Sequence, residues 1–194
     1  GGRIEAHRRS DGIIAVDMGK ARFGWADIPL ARAVEDTDRV TGVAAADAAG
    51  LGPGSVVNVG NPHIVYWVED PAAVDLGRIG PEIEHDPLFP QRINVTLARV
   101  VDRGRIDVRV WERGAGLTLA CGTAGCATAA LALRTGRTGS DVVIGLPGGD
   151  LEIAIAADGT IVMAGAVAID FAGTLDPKAG TFALDGRTPA AAAG

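Results

Sequence analysis

The chain has 194 residues, 47% hydrophobic and 22% charged, which suits one large domain with a sizeable core. Its net charge is −6 and its basic residues are scattered, so no Lys/Arg stripe is there to neutralise phosphates, and nucleic acid is not an expected partner. No apolar run reaches the roughly 18 residues of a membrane span, no signal-peptide pattern precedes the first strand, and two cysteines are too few for a disulfide framework, so a reducing, cytoplasmic setting with no membrane contact is the expectation.

Glycine is abundant, 28 of 194 residues, and aromatics are only 4%. That balance predicts a turn-rich β protein with a core of Val, Ile, Leu and Ala. Residues 3–18 read as a hairpin turning at Ser10-Asp11-Gly12, and 20–40 as a polar linker with a short strand. Ala44 to Gly54 reads as a small-residue loop. Ser55 to Glu69 reads as two strands broken by Gly60-Asn61-Pro62-His63. A short helix is expected within 71–85, with Pro71 at its first position. Residues 93–113 read as a hairpin turning at Asp102-Arg103-Gly104, followed by a loop to Gly116. Ala127 to Arg134 is the most convincing helix, stopped by Gly136. Strands are expected at Val142–Leu146, Leu151–Ala156, Ile161–Ala164 and Val167–Phe171, and a disordered tail after Leu175. The picture is many strands around one Ala-rich helix.

Cys121 precedes Gly122-Thr123 at the mouth of that helix. Unpaired backbone N–H groups and the positive end of the helix dipole favour a thiolate there, and a pKa below the usual thiol value is expected. The same N–H groups suit a carboxylate or developing oxyanion. Taken alone, the thiol is still better read as a buried small hydrophobe, the usual role of a free Cys. Cys126 lies further along the helix with no polar neighbour to activate it. Cysteine and histidine spacings match no metal motif, so no metal is expected. Asn61 and His63 interrupt an apolar strand pair, where ordinary turn chemistry explains them. Asn94 starts a strand. Glu112-Arg113 ends one, and could read an amino acid's two charges or pair with each other.

Five stretches together resemble the diaminopimelate epimerase family: Val16-Asp17-Met18-Gly19, Val59-Gly60-Asn61-Pro62-His63, Asn94-Val95, Trp111-Glu112-Arg113-Gly114-Ala115-Gly116, and Leu119 through Ala127 around Cys121. Their order and spacing agree over residues 3–173. The resemblance implies an α+β lobe, a mostly antiparallel, β-barrel-like sheet around a central helix, one of two similar lobes with the active site between them. It implies a cofactor-free epimerase interconverting LL- and meso-diaminopimelate in lysine and cell-wall precursor synthesis. In that mechanism one thiol from each lobe acts, one as base and one as acid. By motif position Cys121 is the second-lobe catalytic thiol. Gly122 and Thr123 bind the α-carboxylate. Asn61, Asn94, Glu112 and Arg113 contact the substrate, and His63 supports the reacting centre. The family also implies a homodimer.

The family's first-lobe motif, Gly-Asn-Gly-x-Arg-Cys, is absent, and no Cys precedes Cys121. The expectation is therefore residues 1–20 as the end of a missing lobe, 21–175 as the second lobe and 176–194 as the tail. The Gly1-Gly2 start without Met is read as a cut inside a longer protein, and the isolated chain as inactive or very weak. Leu119 stands where a polar residue is expected. Three alternatives remain at this stage: another racemase of the same fold acting on proline or hydroxyproline, an inactive binding or assembly lobe, and Cys121–His63 acyl transfer.

Overall fold

The computed structural model describes residues 4–167 and 171–184. The strands are β1 (Ala6–Arg8), β2 (Ile14–Lys20), β3 (Ser55–Asn58), β4 (Pro62–Trp67), β5 (Asn94–Asp102), β6 (Arg105–Glu112), β7 (Gly116–Thr118), β8 (Asp141–Leu146), β9 (Gly149–Ile155), β10 (Thr160–Gly165), β11 (Gly173–Asp176) and β12 (Thr181–Leu184). The helices are α1 (Ala44–Ala48), α2 (Leu76–Glu84) and α3 (Gly122–Arg134). Strands β1 to β10 form one sheet in the order β1-β2-β10-β9-β8-β6-β5-β4-β3, with β7 paired to β6.

Two crossovers organise this sheet. Parallel strands β4 and β5 are joined through α2, and parallel strands β6 and β8 through β7 and α3. Both connections step the same way across the sheet, but β5 and β6 are antiparallel, so the two start from strands running in opposite directions. A crossover of one fixed hand then puts the two helices on opposite faces. The cores follow. Val57, Val65, Ala98, Val108 and Val110 pack on the α3 side, with Leu131, Ile144 and Ile153. Their alternating neighbours Val56, Ile64, Tyr66, Val95 and Leu97 pack on the α2 side, with Leu76, Ile79 and Ile83. Each fully buried Leu or Ile contributes about 1.5–3 kcal/mol of transfer free energy.

The sheet wraps α3, which touches β3, β4, β5, β8, β9 and β10. It does not close into a barrel. The segment just after β2 meets the edge strand β3 through an isolated bridge, where Arg22 and Asn58 exchange backbone hydrogen bonds of 2.9 Å. The α+β class is as expected, but the barrel-like closure is corrected to an open, curled sheet.

Local differences have physical causes. The helix expected within 71–85 starts at Leu76, because the Asp75 carboxylate accepts the Arg78 N–H at 3.2 Å and caps it there; Pro71 lies in the preceding turn. Residues 44–48 form the short helix α1 rather than a loop, with Ala46 buried against the α2-side core. Strand β7 begins at Gly116, the last residue of the expected loop, and pairs with β6 from Thr118↔Val110 to Gly116↔Glu112. After Leu175 the expected tail continues as the exposed β11–β12 hairpin, where Phe171 and Phe182 meet edge to face at 5.8 Å. The rest of that tail and most of the strand expected at 167–171 lie outside the described residues. No described helix is long and apolar enough to cross a membrane.

Candidate active site

The α3 N-terminus lies beside the start of β4 and the ends of β6 and β7. Cys121 is the N-cap residue, with extended backbone, and its carbonyl accepts the Gly125 N–H at 3.1 Å. Cys121 is buried, with 6% of its surface exposed. The next residues, Gly122 and Thr123, hold backbone N–H groups in the first helical turn that the helix itself does not pair. A Cβ at Gly122 would lie 2.8 Å from the Met163 sulfur on β10, so a larger residue there would need the end of that flexible side chain to move.

A line of polar contacts leads inward from the thiol. Cys121 Sγ is 3.5 Å from Thr123 Oγ1. Thr123 Oγ1 accepts from Asn61 Nδ2 at 3.2 Å. Asn61 Oδ1 lies 3.0 Å from His63 Nε2. His63 is fully buried on β4, on the α3 face of the sheet, and its Nδ1 has no partner. Burial, with the Arg113 guanidinium as a lesser cause, lowers its pKa to about 3, so the ring is neutral at ordinary pH.

Asn94, the register partner of His63, clamps two loops. Its Nδ2 donates to the Pro62 carbonyl at 2.8 Å, and its Oδ1 accepts the Arg113 N–H at 2.9 Å. Strand alternation puts Glu112 on the same side as Val108 and Val110, toward Cys121, and its charge is felt at the thiol. The Arg113 guanidinium donates to the Gln91 carbonyl at 2.8 Å, and no ion pair joins Glu112 to Arg113. The structure thus brings every residue singled out in the sequence into one patch.

Electrostatics correct one expectation. The Cys121 pKa is raised, not lowered. Burial pushes it up and the Glu112 carboxylate adds to that, while the Thr123 hydroxyl and the Ala124 N–H pull it back without winning. Cys121 rests as a thiol. Cys126, deeper on α3, is pushed up to about 12 by burial.

Sequence reasoning missed Glu84. This carboxylate is 2% exposed at the C-terminal end of α2. Its Oε2 accepts the Trp111 Nε1–H at 2.7 Å and its Oε1 the Gly114 N–H at 3.0 Å, with Arg92 at 3.6 Å. It therefore grips the β6–β7 turn on both sides of Glu112 and Arg113. Gly80, one turn earlier, lets the helix lie flush on Trp111: a Cβ there would come within 2.6 Å of the indole. The signal was present, since Glu84 falls on the apolar stripe Leu76, Ile79, Gly80, Ile83, where a charge needs a buried partner.

The sequence model of the family described as Diaminopimelate epimerase matches residues 55–169. The chain belongs to the diaminopimelate epimerase family. The diaminopimelate epimerase of Chelativorans sp. (strain BNC1) is 49% identical over 183 residues, covering 93% of this chain and 62% of that protein. The one from Brucella canis is 47% identical over 186 residues, covering 95% and 61%. The chain thus spans about three-fifths of the length of these curated relatives. Among solved structures, one described as a "Predicted Epimerase" from Pseudomonas aeruginosa superposes with a TM-score of 0.55 at 20% identity, over 84% of this chain and 58% of that one. A phenazine biosynthesis protein of the PhzF family from Bacillus anthracis gives the same TM-score at 11% identity, over 84% and 61%. These two show a shared fold.

Proposed function

We propose that the protein containing this chain is a cofactor-independent epimerase that interconverts LL- and meso-diaminopimelate, in lysine and peptidoglycan precursor synthesis, in the cytoplasm. The observation that carries this reading is the thiol at the α3 N-terminus, set beside free N–H groups, the Thr123 hydroxyl and the Glu112 carboxylate. A substrate α-carboxylate suits the N–H groups of Gly122 and Thr123, which lower the cost of negative charge building at the α-carbon. Cys121, a thiol at neutral pH, then gives its S–H proton to one face of that carbon. A base on the opposite face removes the original α-proton, and the resulting Cys121 thiolate is the base for the reverse direction.

The opposite-face thiol has to come from another lobe, which fits a chain covering three-fifths of its relatives' length. On this reading residues 1–20 end that lobe, 21–175 form the second one and 176–194 the tail, and the enzyme is a homodimer. Asn61, Asn94, Glu112 and Arg113 contact the substrate, mainly at its distal amino-acid end. His63 supports the reacting centre.

The test is α-deuterium exchange into diaminopimelate in D₂O by the whole protein. Cys121→Ala is expected to cut exchange by at least about 10³-fold, within the range for loss of a general acid–base group. Full exchange by the variant would overturn the role given to Cys121.

A further inference from the structure

We propose that the C-terminal end of α3 carries a second ligand site, which takes a small carboxylate with an apolar body, aromatic or branched aliphatic. The inference goes beyond the proposed function and does not depend on the role given to Cys121. The site lies at the seam of the curled sheet. Strand β2 ends at Lys20, the register partner of Thr160 at the start of β10, and the chain then passes Ala21 to the Arg22↔Asn58 bridge with β3. Between this segment, the β9–β10 turn and the last turns of α3 is an open cavity of about 360 Å³, within the size range of small-molecule sites. Phe23, Ala130, Leu133, Ile155 and Ile161 give it a mostly apolar lining. Phe23, Leu133 and Ile155 are only half-buried, so an apolar body entering the cavity removes their surface from water. Helix α3 is 13 residues long, so its length, about 20 Å, separates this site from Cys121.

Charge selects the ligand's head group. The charged residues lining the cavity are Lys20, Arg134 and Asp158. The carboxylate is already engaged: Asp158 accepts the Thr160 N–H and hydroxyl, each at 3.0 Å, and pairs with Lys20 at 3.1 Å. These bonds hold its pKa down to about 2. The cations keep donors in reserve. Lys20 gives only one of its ammonium protons to Asp158. Arg134 sits over the Phe23 ring, 4.6 Å from its centroid, and its Nε–H is shared between the two Asp38 oxygens at 2.9 and 3.0 Å. Among the described residues neither terminal amino group of this guanidinium has a hydrogen-bond partner, and Asp38 stands outside the lining. The lining thus carries one positive charge in excess, beside unused donors of the fork that matches a carboxylate. The last carbonyls of α3, which would repel an anion, are occupied: those of Leu131, Ala132 and Leu133 accept from the Thr135, Arg137 and Gly136 N–H groups. Phe23 under the guanidinium puts an apolar wall next to the charge, which suits an aryl or branched tail a few bonds from the carboxylate.

The test is isothermal titration calorimetry of the whole protein with 4-phenylbutanoate as the probe. Saturable one-site binding is expected, with a Kd of about 0.1–1 mM for a ligand of this size. The alcohol of the same skeleton, 4-phenylbutan-1-ol, is expected to bind at least about tenfold more weakly, because it cannot form the charge-assisted pair. Arg134→Gln is expected to weaken the acid by a similar factor. Ala21→Leu, which fills part of the cavity, is expected to abolish binding. Excess diaminopimelate should leave the affinity for the probe unchanged. The proposal is overturned by the absence of saturable binding, by equal affinity for acid and alcohol, or by undiminished binding to either variant. It is overturned too by displacement with diaminopimelate, which would place the probe at the α3 N-terminus instead. The comparison of acid with alcohol needs no variant, so it decides even if a substituted protein fails to fold. Because the readout is binding at the far end of α3, its outcome is separate from that of the exchange assay on Cys121→Ala.

Discussion

Helices α2 and α3 sit on opposite faces of one sheet and serve the same site by opposite means. Helix α3 is enclosed: residues from Ala124 through Ala132 are buried, and strands surround it. It contributes its N-terminus, where unpaired N–H groups and a thiol emerge into a polar patch. Helix α2 is one-sided, with Leu76, Ile79, Gly80 and Ile83 against the sheet and its other face in solvent. It contributes its C-terminal end, where Glu84 grips the turn between β6 and β7. An enclosed helix suits the thiol proposed to react, because its axis cannot tilt without disturbing six strands. A one-sided helix suits a brace that needs only two hydrogen bonds. The comparison makes graded predictions.

The largest effect is expected in the enclosed core. Leu131 on α3 is fully buried between strands, so the cavity left by Leu131→Ala has no mobile wall to fill it. The cost is expected near the upper end of about 2–5 kcal/mol, and the one for Ile79→Ala on α2 lower in that range, since α2 can settle toward the sheet. Urea unfolding of both variants checks the order. A larger loss for Ile79→Ala would break the contrast between the two helices.

The brace comes next. In Glu84→Gln one oxygen is replaced by an amide N–H, and that group must face either the Trp111 N–H or the Gly114 N–H, donor against donor. Loss of a bond to a charged, buried acceptor predicts about 1.5–3 kcal/mol of destabilisation. Glu84 touches none of the reacting atoms and acts on Glu112 and Arg113 only through the turn. On the proposed function, steady-state kinetics of the whole protein should therefore show KM for diaminopimelate rising more than kcat falls. A pure kcat loss would mean that the turn positions the chemistry rather than the substrate.

The contrast also explains what could be read from the sequence. The strand pattern and the α3 helix were legible because they depend on short-range signals, alternation and Ala-Leu runs, whereas the cluster around Cys121 came through the family resemblance, since each of its residues alone reads as turn chemistry or a buried small side chain. Helix α1 was not, because five residues with no side-chain cap form a helix only through the packing of Ala46. Sheet closure was not legible either. Alternation specifies which face of a strand is buried, but not whether the ends of a curled sheet find each other. The Cys121 pKa went the wrong way for a related reason. A helix N-terminus is visible in sequence, whereas the burial that outweighs it depends on strands tens of residues away. The partners of Glu84 lie 27 and 30 residues along the chain, beyond any local pattern.

The smallest effect is a slope. His63 has its pKa lowered from 6.5 to about 3 by burial, so the folded protein refuses a proton that the unfolded chain accepts. Between about pH 6.5 and pH 3 the unfolded state binds more protons, and stability falls as pH falls; above about pH 6.5 both states are neutral at this site and it contributes no slope. One group gives at most about 1.4 kcal/mol per pH unit. Urea unfolding at pH 6, 5 and 4 should show this slope on top of whatever the carboxylates add. His63→Gln keeps a donor toward Asn61 but has nothing to titrate, so its slope should be shallower by about one proton over the window. Equal slopes in the two proteins would mean that His63 is protonated in the folded state. A charged ring would then sit beside Arg113 and behind Asn61, and the contrast of a neutral line on the α3 side with a carboxylate brace on the α2 side would be lost.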